Sequence, residues 1–248
     1  MKFINLIIKI IYEAINILVY IYNRLRWYNP VPPSTIIYIH PDEIIKSMEF
    51  SLLHKRGAWR LSGIIKGGDW DQVLKRSRKP RITKSLKVSS PQKEFVESFY
   101  AHIVHDVPIT ETSWYNDQIK KTGSSVVVNK QSVKIIKKIR TLYNDIKKKG
   151  FHTSNSLFSS IEPFPVSIGR NGEFIYMTGK HRYTIAKILA DEDESFKMPV
   201  RVALRHAKWQ AYRDDVTKKY IRKSLKHINP NQDCHPDLYD ILGTKSSK

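Results

Sequence analysis

Over the first 28 residues apolar side chains are so frequent that only a narrow stripe stays polar. Asn5, Lys9, Glu13, Asn16, Tyr20 and Asn23 make up that stripe, and neither Gly nor Pro interrupts it. The pattern predicts one long helix with a very wide apolar face. Asn29-Pro30-Val31-Pro32-Pro33-Ser34 then reads as a stiff, extended linker, and folded structure is expected from Thr35. Ile36–Ile39 has strand character, and Pro41-Asp42 opens a predicted helix running through Glu49. Ser90-Pro91 begins another, with Phe95, Phe99 and Ile103 inward. A helix follows over Glu111–Lys121. Asn129 is expected to cap a long helix over Lys130–Lys148, with Val133, Ile136, Ile139, Tyr143 and Ile146 in its apolar stripe and Gly150 at its end. Its lysine-rich face reads as solvated. Phe151–Ser160 is polar and reads as a lid.

From Glu173 to Arg205 the pattern changes to strand, tight turn, helix, strand. Asn171-Gly172 is a strong hairpin signal joining Val166–Ile168 to Phe174–Met177. Thr178-Gly179 breaks the second strand. Ile185, Ile188 and Leu189 recur at helical spacing, and Met198–Leu204 returns to strand. In such a unit the last strand is expected beside the strand that carries the loop. A basic helix over Ala207–Lys226 follows, with Trp209, Tyr212, Val216, Tyr220 and Leu225 facing inward. Asn229-Pro230 stops it, and a short helix follows from His235 to Leu242. The tail Thr244–Lys248 reads as disordered. The fold class is α+β.

Candidate chemistry gathers where the helix after Thr178 begins. Gly179 lets the backbone approach a ligand, and the first N–H groups of the helix favour an anion. Lys180 and Arg182 add charge, and His181 adds a titratable ring. A bare strand-to-helix turn of this kind also occurs where nothing binds. Upstream, Gly67–Asp71 (GGDWD) sets two carboxylates around Trp70. Asp69 and Asp71 either bind Mg²⁺ or act as a base, or they cap a turn around a core tryptophan. His102 and His105 have metal-compatible spacing but lack further ligands, so they read as surface histidines.

The stretch VSIGRNGEFIYMTGKHRYTIAKIL followed by MPVRVALRH resembles the ParB/sulfiredoxin-like superfamily, whose mark is a hairpin followed by a G-x-x-R loop opening a helix. A closer likeness is to uncharacterised ParB-like proteins with a GGDWD segment. The resemblance covers about Leu142 to His206. It implies a small mixed sheet and a loop that holds nucleotide phosphates: Gly179, Lys180, His181 and Arg182, with Arg205 and His206 on phosphate or substrate. Two departures stand out. No helix-turn-helix follows the core, and Lys180 stands where sulfiredoxins carry the loop cysteine, so sulfinic-acid reduction is not expected.

The formal net charge of +20 suits an anionic partner: nucleic acid, membrane surface or phosphorylated substrate. Leu74–Lys87 is a basic run that contacts lipid or nucleic acid, or is merely solvated. The single cysteine, Cys234, excludes an internal disulfide. For the first 28 residues a cleaved signal peptide does not fit, because a small-residue cleavage site is missing. A spanning helix would bury Lys9 and Glu13. An interfacial anchor with Arg24, Arg26 and Trp27 at the headgroups fits best, and a soluble helix packed on the domain is the alternative.

The expected organisation is a membrane helix over 1–28, a linker over 29–34, an N-terminal elaboration over 35–128, the ParB/sulfiredoxin-like core over 129–206 and a C-terminal helical extension over 207–248. The expected function is an ATP-dependent phosphotransferase acting on a small polar or glycan-like substrate at the cytoplasmic face of a membrane. Asp69, Asp71 and His181 would be catalytic, and Asp69 and Asp71 would also hold Mg²⁺. The alternatives are a ParB-like nucleic-acid-binding protein or nuclease, and a nucleotide-binding switch without turnover.

Overall fold

Asn171 and Gly172 form the predicted turn, with Gly172 at φ 90°. A Cβ there would meet the Trp209 ring at 2.7 Å, so glycine is needed both for conformation and for space. The turn joins β5 (Phe164–Ile168) to β6 (Phe174–Tyr176), which pair antiparallel. β7 (Met198–His206) runs parallel along the other side of β5. On the far edge of β7, β1 (Ile36–Ile39) pairs antiparallel with its first half, and β3 (Ile64–Lys66) pairs parallel with its second. β2 (Ile44–Met48) lies parallel to β6, and β4 (Ile82–Thr83) closes that side. Among the described residues this is a seven-stranded mixed sheet, in the order β1-β7-β5-β6-β2-β4 with β3 on β7. The computed structural model describes residues 2–33, 35–48, 61–72, 82–83, 91–151, 163–222 and 234–242. Leu225, nearly all of the basic run, almost the whole expected lid and the tail lie outside them.

Helices α2 (Pro91–Val104), α3 (Ser113–Thr122), α4 (Ser125–Lys149) and α5 (Lys180–Glu192) pack together. Their inward residues Phe95, Phe99, Trp114, Ile139 and Ile185 join Phe164 and Val166 of the sheet in one core. A fully buried side chain of this size stabilises the fold by about 1.5–3 kcal/mol. α1 (Lys2–Arg26), α6 (Ala207–Ile221) and α7 (Tyr239–Leu242) complete the fold. No helix among the described residues is long and apolar enough to cross a membrane.

Several expectations need correction. Pro41–Glu43 is a single 3-10 turn, and strand β2 replaces the helix expected through Glu49. His40 and Glu43 cap that turn reciprocally, after which β-branched Ile44 and Ile45 favour a strand. α4 starts one turn early because the Ser124 hydroxyl accepts from the Val127 N–H. Val133 points outward at 67% exposure, and Val128 is buried instead. In α6, Tyr212 and Tyr220 are exposed while Gln210, Arg213, Asp214 and Thr217 are buried. The expected core also extends upstream, since β1, β2, β3 and β4 all come from before residue 129. The linker is packed: Val31 is buried, and the N–H groups of Tyr28 and Asn29 both donate to Asp214.

Candidate anion site

Gly179 precedes the first turn of α5 at φ 97°, a left-handed geometry that suits glycine. A Cβ there would lie 3.0 Å from the Phe164 ring and 3.3 Å from Arg182 Nη2. The loop, the start of β5 and Arg182 therefore converge. Among the described residues no side chain caps α5, whereas Thr112, Ser124 and His206 cap α3, α4 and α6. The first-turn N–H groups of α5 and the positive end of its dipole remain uncapped by side chains.

The cations here rest on aromatic rings. Lys180 Nζ stands 4.1 Å from the centre of Phe95, and His181 meets the same ring edge to face at 5.4 Å. The Arg182 guanidinium lies 5.9 Å from the centre of Phe164. His181 Nε2 is shielded from solvent and has no hydrogen-bond partner among the described residues, an unusual state for a buried polar atom. Burial first, then the charges of Lys138 and Lys180, push the His181 imidazole down to about 4. Partial burial and then Lys138 lower the Lys180 ammonium. Lys138 of α4 thus joins the cluster. In sequence it is one lysine on a solvated face, and only tertiary packing of α4 on α5 singles it out.

The remaining expected site residues lie elsewhere. Ile168 pairs with Arg205 and Phe164 with Val200, so Arg205 and His206 sit at the opposite end of β5 from the Gly179 loop. That separation is ~13 Å along the strand, at about 3.3 Å per residue. The expected adjacency of the last strand and the loop-bearing strand is corrected, because β5 lies between β6 and β7. Arg205 is buried and donates to Asp237 through Nε at 3.0 and 3.2 Å and through Nη2 at 2.5 Å. Arg213 and the Trp209 indole N–H converge on the same carboxylate. Burial raises the Asp237 carboxyl, but Arg205, Arg213 and these hydrogen bonds outweigh it and bring it down to about 2.

Asp69 and Asp71 lie at this second pole as well. Arg170, in the hairpin turn, donates to Asp71 from its backbone N–H at 2.7 Å, from Nε at 3.0 and 3.1 Å and from Nη2 at 2.7 Å, and to Asp69 from Nη2 at 2.8 Å. Burial raises the Asp71 carboxyl, yet the bonds from Arg170 and the nearby His206 leave it below the ordinary range. His206 accepts from the Lys208 N–H at Nδ1, so its Nε2–H donates to Gly68 O at 2.7 Å. Trp70 is buried against Ile175 and Leu204. GGDWD thus clamps the end of β3 to the β5–β6 turn, with Arg170 as the partner that sequence reading missed. Its carboxylates are taken up by a guanidinium. Among the described residues no group of three or more His, Cys, Asp or Glu is placed to hold a metal. His102 Nδ1–H donates to Val107 O of its own loop at 2.9 Å. Arg24 and Arg26 are exposed at the end of α1, and Trp27 is half-buried.

Comparison of the chain with protein-family models, with curated proteins and with solved structures found no match.

Proposed function

We propose that the protein binds a phosphate-bearing ligand, a nucleotide on the ParB/sulfiredoxin-like reading, at the start of α5. The observation that carries this is the charge around the loop. Lys180, His181 and Arg182 open a helix whose N-terminus has no side-chain cap among the described residues, and beyond burial the charges that lower Lys180 and His181 are other cations, Lys138 among them. A bound phosphate would lower that repulsion and accept from the first-turn N–H groups. Transfer of the phosphoryl group would need a carboxylate beside the loop, whereas Asp69 and Asp71 sit at the other end of β5, on Arg170. The geometry therefore favours ligand binding without turnover over a kinase using those two residues. We further propose that binding takes place beside an anionic membrane.

Calorimetric titration of ATP, ADP and CTP into the full chain, with and without Mg²⁺, tests the site. Arg182→Ala should weaken whichever nucleotide binds by about 1.5–3 kcal/mol, roughly ten- to more than a hundredfold. No heat from any of the three with the native protein rejects the nucleotide assignment.

A further inference from the structure

α1 turns its polar side toward the domain and its apolar side away. Asn16 and Asn23, two turns apart, are buried. Asn16 Oδ1 accepts from the Ser62 N–H at 2.9 Å, and Asn23 Nδ2 donates to Gly63 O at 2.7 Å. Both amides thus satisfy backbone groups just before β3. The opposite side carries Ile10, Ile11, Ile17, Leu18, Ile21 and Leu25, all exposed, with Leu25 at 82%. At about 100° per residue these six cover an arc of roughly 120°. Single exposed apolar residues are ordinary, but a contiguous stripe marks an interaction surface.

The helix is held in this orientation. Its exit is fixed where Tyr28 N and Asn29 N donate to the two oxygens of Asp214 at 3.0 Å each. Asn29 Nδ2 bonds Thr217, and Gln210 Nε2 donates to Asn29 O. Turning the apolar face inward would break these bonds and those of Asn16 and Asn23. Charge selects the occupant. Arg24 and Arg26 are exposed on either side of Leu25, Lys218 lies over the Tyr28 ring at 5.3 Å, and the formal net charge is +20. That charge repels a second copy and attracts an anionic surface.

We infer that α1 lies in the plane of an anionic bilayer, its apolar face in the acyl boundary, clamped to the domain by Asn16, Asn23 and Asp214. The protein rides on the membrane as a rigid body rather than on a tether. This holds whether or not the α5 loop binds phosphate.

Sedimentation of the full chain with phosphatidylcholine vesicles, with and without about one part in three phosphatidylglycerol, tests it. The native chain should pellet with the anionic vesicles, and less so as salt rises. Leu18→Glu combined with Ile21→Glu should weaken partition more than ~tenfold. Both positions face away from the domain, so the melting temperature should move by less than ~2 °C. Leu25→Glu alone, at the most exposed position, gives a milder loss of the same kind and serves if the double variant misfolds. The inference fails if native protein stays in the supernatant with anionic vesicles, or if these variants pellet as the native chain does. It fails equally if the stripe instead supports a concentration-dependent dimer that ignores vesicles.

Discussion

The two ends of β5 hold the same kinds of residue in opposite circumstances. At the Ile168 end, guanidiniums meet carboxylates: Arg170 on Asp69 and Asp71, Arg205 on Asp237, Arg213 on Asp237 and Asp240. At the Phe164 end, cations meet aromatic rings and one another. The first arrangement is closed, since its charges are satisfied inside the fold. The second gathers cations on aromatic rings at the start of a helix, the setting in which the proposed anion would bind. Basic residues in a sequence therefore do not by themselves mark a ligand site, since at the Ile168 end the fold supplies their counter-charge.

The largest test of this contrast is Asp237→Asn. It would strand Arg205 and the fully buried Arg213 without their shared carboxylate, and should destabilise the protein by about 3–5 kcal/mol. Urea unfolding measures it. The native carboxyl titrates at about 2, below the ordinary value of about 3.9. Its contribution is therefore complete above pH ~4 and is lost as pH falls through ~2. A smaller loss, about 1.5–3 kcal/mol, is expected for Asp71→Asn, which weakens the charge-assisted bonds from Arg170. Nucleotide binding should be unchanged in that variant. If instead binding is lost with stability intact, the two poles act together and the contrast breaks.

At the open pole the expected effects are smaller and of the opposite kind. Lys138→Ala should weaken anion binding by about 1 kcal/mol, roughly fivefold, with no loss of melting temperature because a repulsion is removed. The imidazole of His181 should then titrate higher, which NMR can follow. The finest test is pH. In the free protein His181 is held down at about 4, against about 6.5 when unperturbed. Between those values the unfolded chain binds the extra proton more readily, so His181 makes stability rise with pH in this window. A bound anion favours the protonated ring, so sulfate, whose charge is constant there, should bind more tightly at pH 5 than at pH 7. His181→Gln should remove that dependence while leaving any tie through Asp237 untouched.

Local features of the fold were legible and long-range ones were not. Asn171-Gly172 announces its turn, Pro91 the start of α2, Gly150 the end of α4 and Gly179 the start of α5, because each acts on its own backbone. The buried polar face of α6 was not readable, since Arg213 owes its burial to Asp237 and Asp240, residues beyond the helix. Tyr212 and Tyr220 carry the helical apolar spacing yet face outward. The turn at Gly179 is legible from its own backbone, but the nearness of Lys138 to that loop is not, and Arg205 and His206, expected near it, lie at the other end of β5. That error is topological: the pattern does not show that β5 slips between β6 and β7. Asp69 and Asp71 looked like chemistry because their partner, Arg170, lies about a hundred residues downstream.

The bonds from Tyr28 and Asn29 to Asp214 span 186 and 185 residues of chain. During synthesis, at about 5–20 residues per second, that distance takes roughly 10–40 s to cover. Throughout that interval α1 exists while the carboxylate that fixes its exit does not. On the proposed bilayer attachment the helix would have time to settle on a lipid surface before the domain closes around it, and the Asp214 bonds form only after all seven strands of the described sheet have been made. Attachment would come first and orientation last.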